Sequence, residues 1–264
     1  MNGSELLQQN TGHLKSSMGA CFPGERAVFR GHDLHAELKD LDWVELYVFG
    51  ITGRRFTPEQ LCLLHAMWTY TSYPDARIWN NRVAALAGSA RSTPTLALSA
   101  SLAVTDAVIY GGHPLIRAID FFIQVRKQME QGEQLEKVVQ VEVQKRRIYG
   151  YGRPITSADE RLTWLLALAR ELDLDRGPHL GLSFEVECIL LTDNKALQMN
   201  YAGLVAALAA DLGFSPKEFQ LFTFPIVLAG MPPCFIESAE RPEGTLFPLS
   251  CDHILYEGPP KRQW

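Results

Sequence analysis

Residues 95–127, TLALSASLAVTDAVIYGGHPLIRAIDFFIQVRK, constrain this chain more than any other stretch. Leu98, Leu102, Val108 and Ile109 stand among the small residues Ala97, Ser99, Ala100, Ser101 and Ala103, which predicts a helix that neighbours can approach closely. Paired glycines lose more backbone entropy in a helix than any other residue, and a proline removes a backbone donor. The helix is therefore expected to break at Tyr110-Gly111-Gly112-His113-Pro114. Pro114 then opens a second helix, on which Leu115, Ile119, Phe122 and Ile123 restart an apolar stripe. Such a break between two buried helices sets Tyr110 and His113 side by side at a gap in the core. It is either a tight connection or the wall of a site, and the residues alone leave both readings open.

Composition narrows the classes. With 264 residues, 47% of them hydrophobic and 21% charged, the chain suits one large globular domain or two unequal ones. A net charge of −5 gives no electrostatic footprint for nucleic acid or an anionic membrane. Cys21, Cys62, Cys188, Cys234 and Cys251 are scattered, with no C-x-x-C pair, so neither a zinc site nor a disulfide framework is suggested, and a reducing cytosol fits best. The first residues lack the basic-then-apolar layout of a signal peptide. No apolar run is expected to reach the ~20 residues that span a bilayer; the longest, 162–169 and 202–214, read as buried helices.

Along the chain, a short strand is expected at Ala27-Val28-Phe29, then a helix capped by Asp33 that carries Leu34, Leu38 and Leu41. His32 and His35 lack partner ligands and read as surface residues. A second helix covers 42–51 and stops at Gly53. Thr57-Pro58-Glu59-Gln60 combines an N-cap, proline at the first position and glutamine at the third, a capping box. Another helix is expected over 76–91, where Arg82 and Arg91 would contact an anion or pair with surface carboxylates. Residues 126–147 read as a charged crossover helix with a break near Gly132. The basic run Lys145-Arg146-Arg147 leads into Ile148-Tyr149-Gly150-Tyr151-Gly152-Arg153-Pro154, which cannot be a helix interior. It suits a loop whose backbone approaches a ligand, with Arg153 as an anion clamp. Ser157 and Glu160 are expected to cap a helix through Leu162, Leu165, Leu166 and Leu168 that ends at Gly177-Pro178. On the next helix Glu185 and Glu187 are expected to face water. A buried helix over 197–214 stops at Gly213, Ser215-Pro216-Lys217-Glu218 opens another, and 253–256 reads as a closing strand. The sum is an all-α core.

Taken in order, these landmarks resemble the citrate synthase superfamily, closest in layout to its short citryl-CoA lyase-like members, over nearly the whole chain. Arg30-Gly31-His32-Asp33-Leu34 resembles an Arg-Gly-Tyr-Asp-Ile segment. Phe49-Gly50-Ile51-Thr52-Gly53 with Thr57-Pro58 resembles the pattern that follows it. Arg82-Val83 sits ahead of the central helix. Tyr110-Gly111-Gly112 and Gly150-Tyr151-Gly152 resemble the two site loops, and Asp159-x-Arg161 an Asp-Pro-Arg. Met199-Asn200-Tyr201-Ala202-Gly203 resembles Asn-Val-Asp-Gly, Asp211-Leu212-Gly213-Phe214 continues the match, and Tyr256-Glu257-Gly258-Pro259 resembles the Tyr-x-Gly-Pro ending.

The resemblance implies an all-α, citrate synthase-like fold with a large helical domain (1–125 and 213–264) and a small one (126–212). It also implies a homodimer, and the scattered cysteines give the expectation of a cytoplasmic location. It implies acyl-thioester chemistry in which one histidine polarises the thioester, a carboxylate takes the α-proton and a second histidine serves the other carbonyl. Those positions hold Tyr110, Ala202 and Arg153, and Phe247-Pro248-Leu249 stands where the family grips a carboxylate with arginine. Losing these roles exceeds the ~100- to 10,000-fold assigned to one acid or base, which argues against ordinary citrate synthesis. Two expectations follow. One is a repurposed enzyme with Tyr110, Arg153 and His113 as catalytic groups, Tyr110 donating to an oxygen, Arg153 holding an anion and His113 acting as base. It would form, cleave or cyclise a carbon–carbon bond on an acyl-CoA or related carbonyl substrate. The other is an inactive sensor or partner of an active paralogue. Gly150, Tyr151 and Gly152 are the expected contacts for a CoA thioester cosubstrate. No tightly bound cofactor, metal, nucleic acid or membrane is expected.

Overall fold

The computed structural model describes residues 3–12, 14–145, 148–153, 159–192, 197–246, 253, 255–260 and 262. In chain order they form α1 (Gly3–Asn10), β1 (Gly19–Phe22), β2 (Arg26–Phe29), β3 (His32–Asp33), α2 (Trp43–Thr52), α3 (Pro58–Thr69), α4 (Trp79–Ser89) and α5 (Pro94–Val104). These are followed by α6 (Gly112–Glu130), α7 (Leu135–Lys145), α8 (Glu160–Glu171), α9 (Pro178–Thr192), α10 (Tyr201–Asp211) and α11 (Pro216–Thr223). A 3-10 turn (Phe224–Val227) and α12 (Met231–Glu240) complete the set. Among the described residues the only sheet is the small antiparallel β1-β2-β3. The fold is all-α, as the sequence indicates.

The chain packs as two compact units, one of residues 1–70 with 113–224 and the other of 71–112 with 225–264. In the first of them a single apolar core runs from Val44 to Phe222 and takes in α10 together with α2 and α3.

In the first unit α10 is the centre. It is apolar all round, as a helix enclosed on every side must be, and buries Tyr201 and every residue from Gly203 to Ala210. Helices α8 and α9 pack against it, α7 packs on α9, and α11 on α2. Local chemistry sets the ends. Asp42 caps α2 and Gly53, at φ 71°, ends it. Capping boxes open α3 (Thr57 with Gln60) and α11 (Ser215 with Glu218). In the second unit α4, α5 and α12 pack together. Gly88 lets α4 and α12 meet backbone to backbone, since a Cβ there would lie 2.4 Å from the Phe235 carbonyl oxygen.

Several expectations are corrected. Residues 34–41 form turns rather than a helix. The Asp33 carboxylate accepts from the His35 and Ala36 N–H groups, and only Leu38 of the three leucines is buried, so there is no apolar stripe to hold a helix. Helix α5 ends at Val104, which leaves Val108 and Ile109 outside it, each 64% exposed. The chain turns back at once, because the Gly112 N–H bonds the Thr105 carbonyl, and Gly111 sits so close that a Cβ would lie 2.1 Å from that same oxygen. Helix α6 then starts at Gly112, so Pro114 lies inside its first turn. The described residues 126–145 are the end of α6 and all of α7, two helices separated by a turn at Gly132 (φ 95°), the position expected for the break. Asp159, not Ser157, caps α8, and Ser157 lies outside the described residues. Pro178 opens α9 instead of ending α8. Glu187 is half-buried and accepts the Met199 N–H at 2.6 Å rather than facing water. Arg91 lies 3.6 Å from the exposed Glu243 carboxylate, the surface pairing that was one of its two expected roles, and it also donates to the Ala239 and Arg241 carbonyls, capping α12. The described residues of 253–256 form no strand, and Leu255 and Tyr256 are exposed. The 25-residue helical run Pro216–Glu240 is long and apolar enough to cross a membrane by length and composition. Counting uninterrupted apolar residues overlooked it because Pro, Gly, Ser and Thr are interspersed. Phe219, Phe222, Met231 and Cys234 of that run are buried within the protein.

Candidate functional site

The loop 148–153 lies along the segment that leads into α10. The Gly152 N–H donates to the Gln198 carbonyl at 2.6 Å and the Asn200 N–H to the Gly150 carbonyl at 2.9 Å. The Asn200 side chain donates to the Gly152 carbonyl and accepts from the Gly203 N–H, capping α10. The two glycines of closest approach are mutual: a Cβ on Gly150 would lie 2.9 Å from the Gly203 Cα, and one on Gly203 would lie 2.4 Å from the Gly150 oxygen. Gly152 is bounded by Leu197. Tyr151 turns inward, donates its hydroxyl to the Ser183 carbonyl at 2.8 Å and meets the Phe122 ring edge-on. Burial, followed by the charge of Glu187, pushes its phenol well above the usual range. The Tyr151 side chain thus belongs to the core, Gly150 is explained by its backbone contact with Gly203, and Gly152 by its left-handed backbone (φ 80°).

Asp159 gathers the charges of this region. Its side chain, 1% exposed, accepts two bonds from the Arg161 guanidinium, at 2.8 and 2.7 Å, one from the Arg161 N–H at 3.3 Å and one from the Tyr201 N–H at 2.9 Å. One carboxylate therefore serves the N-termini of both α8 and α10, where helix dipoles favour negative charge. Burial opposes its ionisation more than any other single influence, yet Arg161, the Tyr201 N–H and Arg153 together hold the carboxyl below its ordinary range. The Arg161 guanidinium lies over the Tyr201 ring at 4.6 Å. Arg153 reaches the same group: its Nε is 3.8 Å from Asp159 and its Nη1 2.7 Å from Glu160. The expected anion clamp is thus held by the protein's own carboxylates. Its side chain stays 24% exposed, and Arg153 in turn draws the Glu160 carboxyl below its usual range. Ala202, half-buried in the first turn of α10, places no acid here.

His113 is the second residue of α6. Its ring meets the Tyr149 ring edge-on at 5.7 Å, and its Nε2 lies 3.4 Å from the Arg117 Nε. Its Nδ1 is buried without a hydrogen-bond partner among the described residues. Tyr110 belongs to the second unit, where its hydroxyl donates to the buried Asn80 Oδ1 at 2.7 Å and its ring packs on Trp79 at 5.3 Å. The first unit thus brings Arg153 together with the segment 198–203, and it also carries His113.

Three participants escaped sequence reading. Asn80 had no distinguishing pattern. Arg117 reads as the polar face of α6. Asp211 accepts the His179 and Leu180 N–H groups, capping α9 from a distant helix, which no local signal encodes. Arg146, Arg147 and Phe247-Pro248-Leu249 lie outside the described residues. Among those described, no group of three or more His, Cys, Asp or Glu side chains could hold a metal ion.

No family model matches the chain, and no curated protein matches it. Solved structures do. Citryl-CoA lyase from Hydrogenobacter thermophilus superposes with a TM-score of 0.82 at 20% identity, covering 95% of this chain and 97% of that one. ATP citrate lyase from Methanothrix soehngenii, in complex with citrate and coenzyme A, gives 0.73 at 18% identity, over 98% of this chain and 44% of that one. Citrate synthase from Thermoplasma acidophilum gives 0.67 at 18%, over 84% and 58%. The fold is therefore that of the citrate synthases. In extent the chain resembles the short citryl-CoA lyase, which it matches nearly end to end, whereas it spans under half of the ATP citrate lyase chain.

Proposed function

We propose that this protein is a divergent citrate synthase-fold enzyme that forms, cleaves or cyclises a carbon–carbon bond on an acyl-CoA or related carbonyl substrate, and is not an ordinary citrate synthase. The observation that carries this reading is the end-to-end likeness to a citryl-CoA lyase. The ATP citrate lyase and citrate synthase neighbours were described with citrate and CoA and with carboxymethyl-CoA, the small-molecule class proposed here. Ala202, at the position where the resemblance expects the proton-taking carboxylate, supports a chemistry different from that of the citrate synthases. Arg153 supplies a cation for an enolate or carboxylate, His113 a ring nitrogen without a partner among the described residues, and Tyr110, in the second unit, a phenol. A homodimer in the cytoplasm, with no tightly bound cofactor, belongs to the same reading. The test is a panel of acyl-CoA thioesters with carbonyl acceptors, scored by thiol release and product mass. Turnover lowered about 100-fold or more by Arg153→Ala is expected. No turnover across the panel contradicts the reading.

A second reading has its own support: a ligand-binding protein without turnover. Arg153 is engaged by Glu160 and Asp159, and the Tyr110 proton is directed at Asn80. Binding of CoA or acetyl-CoA with no reaction would favour it.

A further inference from the structure

Trp43, Tyr47 and Trp68 form an unbroken aromatic run at the surface of the first unit. The ring centroids of Trp43 and Tyr47 are 5.7 Å apart, and those of Tyr47 and Trp68 5.6 Å. Trp43 is 65% exposed, and the other two residues are half-buried. The run is anchored by its polar tips. The Tyr47 hydroxyl donates to the Leu221 carbonyl at 2.8 Å, and the Trp68 Nε1–H to the Phe222 carbonyl at 3.1 Å. Both tips are thus committed to the protein's own backbone, and the run offers a partner ring surface rather than donors. One end of it is acidic. Asp40 and Asp42 precede Trp43, against one Lys39, and the Asp42 side chain, bonded to His65, is 51% exposed.

The chain also carries a segment of complementary chemistry, Gly258-Pro259-Pro260-Lys261-Arg262. From Leu255 to Arg262 every described residue is exposed, and none lies in a helix or strand. Consecutive prolines hold an extended polyproline II conformation whose ordering costs little, because φ is already fixed. Segments of this kind dock on aromatic-lined surfaces, and a flanking cation favours an acidic rim.

We propose that the run Trp43–Tyr47–Trp68 docks the segment 258–262 of a second copy of this chain, with Pro259 and Pro260 on the rings and Arg262 toward Asp40 and Asp42. The inference rests on the homodimer of the reading above and assigns it one contact, made twice in a two-fold pair.

Acrylamide quenching of tryptophan fluorescence in the intact chain tests this, with Trp43→Phe as the reference that isolates the Trp43 signal and sedimentation equilibrium reporting the oligomer. Trp43 should be shielded where the chain is dimeric and open on dilution. Pro259→Ala with Pro260→Ala, which alters only an exposed segment, should open Trp43 at every concentration and raise the dimer dissociation constant about tenfold. The peptide LYEGPPKR (residues 255–262, without tryptophan) should shield Trp43 in the proline variant, and Asp42→Asn should weaken the peptide about threefold. A dimer whose Trp43 is as open as in the proline variant overturns the inference and spares the homodimer. A chain that is monomeric throughout overturns both. Shielding that is independent of concentration in a monomer places the segment on its own copy and overturns the inference, as does a peptide that leaves Trp43 open.

Discussion

Asp159 is the residue on which the charge network beside the loop 148–153 depends. Replacing it with Asn removes the counter-charge of Arg161 and Arg153 and one cap shared by two helices. We expect a loss of about 2–4 kcal/mol in urea unfolding at neutral pH. The pH dependence has a definite sign. The folded carboxyl titrates below its ordinary value of 3.8, so its contribution is fully present above that value and is lost as pH falls through the lower, folded-state value. The wild type should therefore lose its margin over Asp159→Asn on acidification, and a constant difference down to pH 2 would contradict this. The sequence displayed Asp159-x-Arg161 as a motif but not as a hub, because its other partners, Tyr201 and Arg153, depend on the tertiary approach of α10 to the loop. Glu187 was misplaced for the same reason. An alternating acid on a helix reads as solvated until a distant N–H, here that of Met199, needs an acceptor.

At the scale of elements, the crossing of the glycine loop with α10 permits a sharp test. Alanine is favoured over glycine inside a helix by about 1 kcal/mol, so Gly203→Ala would stabilise an isolated α10. In this protein its Cβ would meet the Gly150 oxygen at 2.4 Å, and the contact is backbone, which cannot swing aside. Overpacking of this kind costs about 1–3 kcal/mol and should win. We expect a lower melting temperature, and an unchanged or raised one would contradict the packing account. Helix starts with a cap and a proline, such as Thr57-Pro58 and Ser215-Pro216, were legible because their chemistry is local. The end of α5 was not, since the turn at Thr105 is fixed by a glycine at position 111 and not by any residue at the end itself. The charged face of α6 gave no hint that Arg117 and His113 share a contact, although their spacing on one helix permitted it.

For the whole molecule, the order of weak landmarks carried the fold, and none of them did so singly. What that order could not show was the packing: side chains of 44–70 and 115–222 form one core, a grouping set by residues brought together from distant parts of the chain. Nor could it show that Gly150, Tyr151 and Gly152 are bound to their own chain, while the Arg153 side chain stays 24% exposed. The central claim is that a citrate synthase scaffold keeps its affinity for acyl-CoA compounds while its acid–base groups have been exchanged. Calorimetric titration with CoA and acetyl-CoA tests it most directly. Saturable binding that weakens about tenfold or more in Arg153→Ala is the predicted result. Neither heat nor a thermal shift with either compound would contradict the claim.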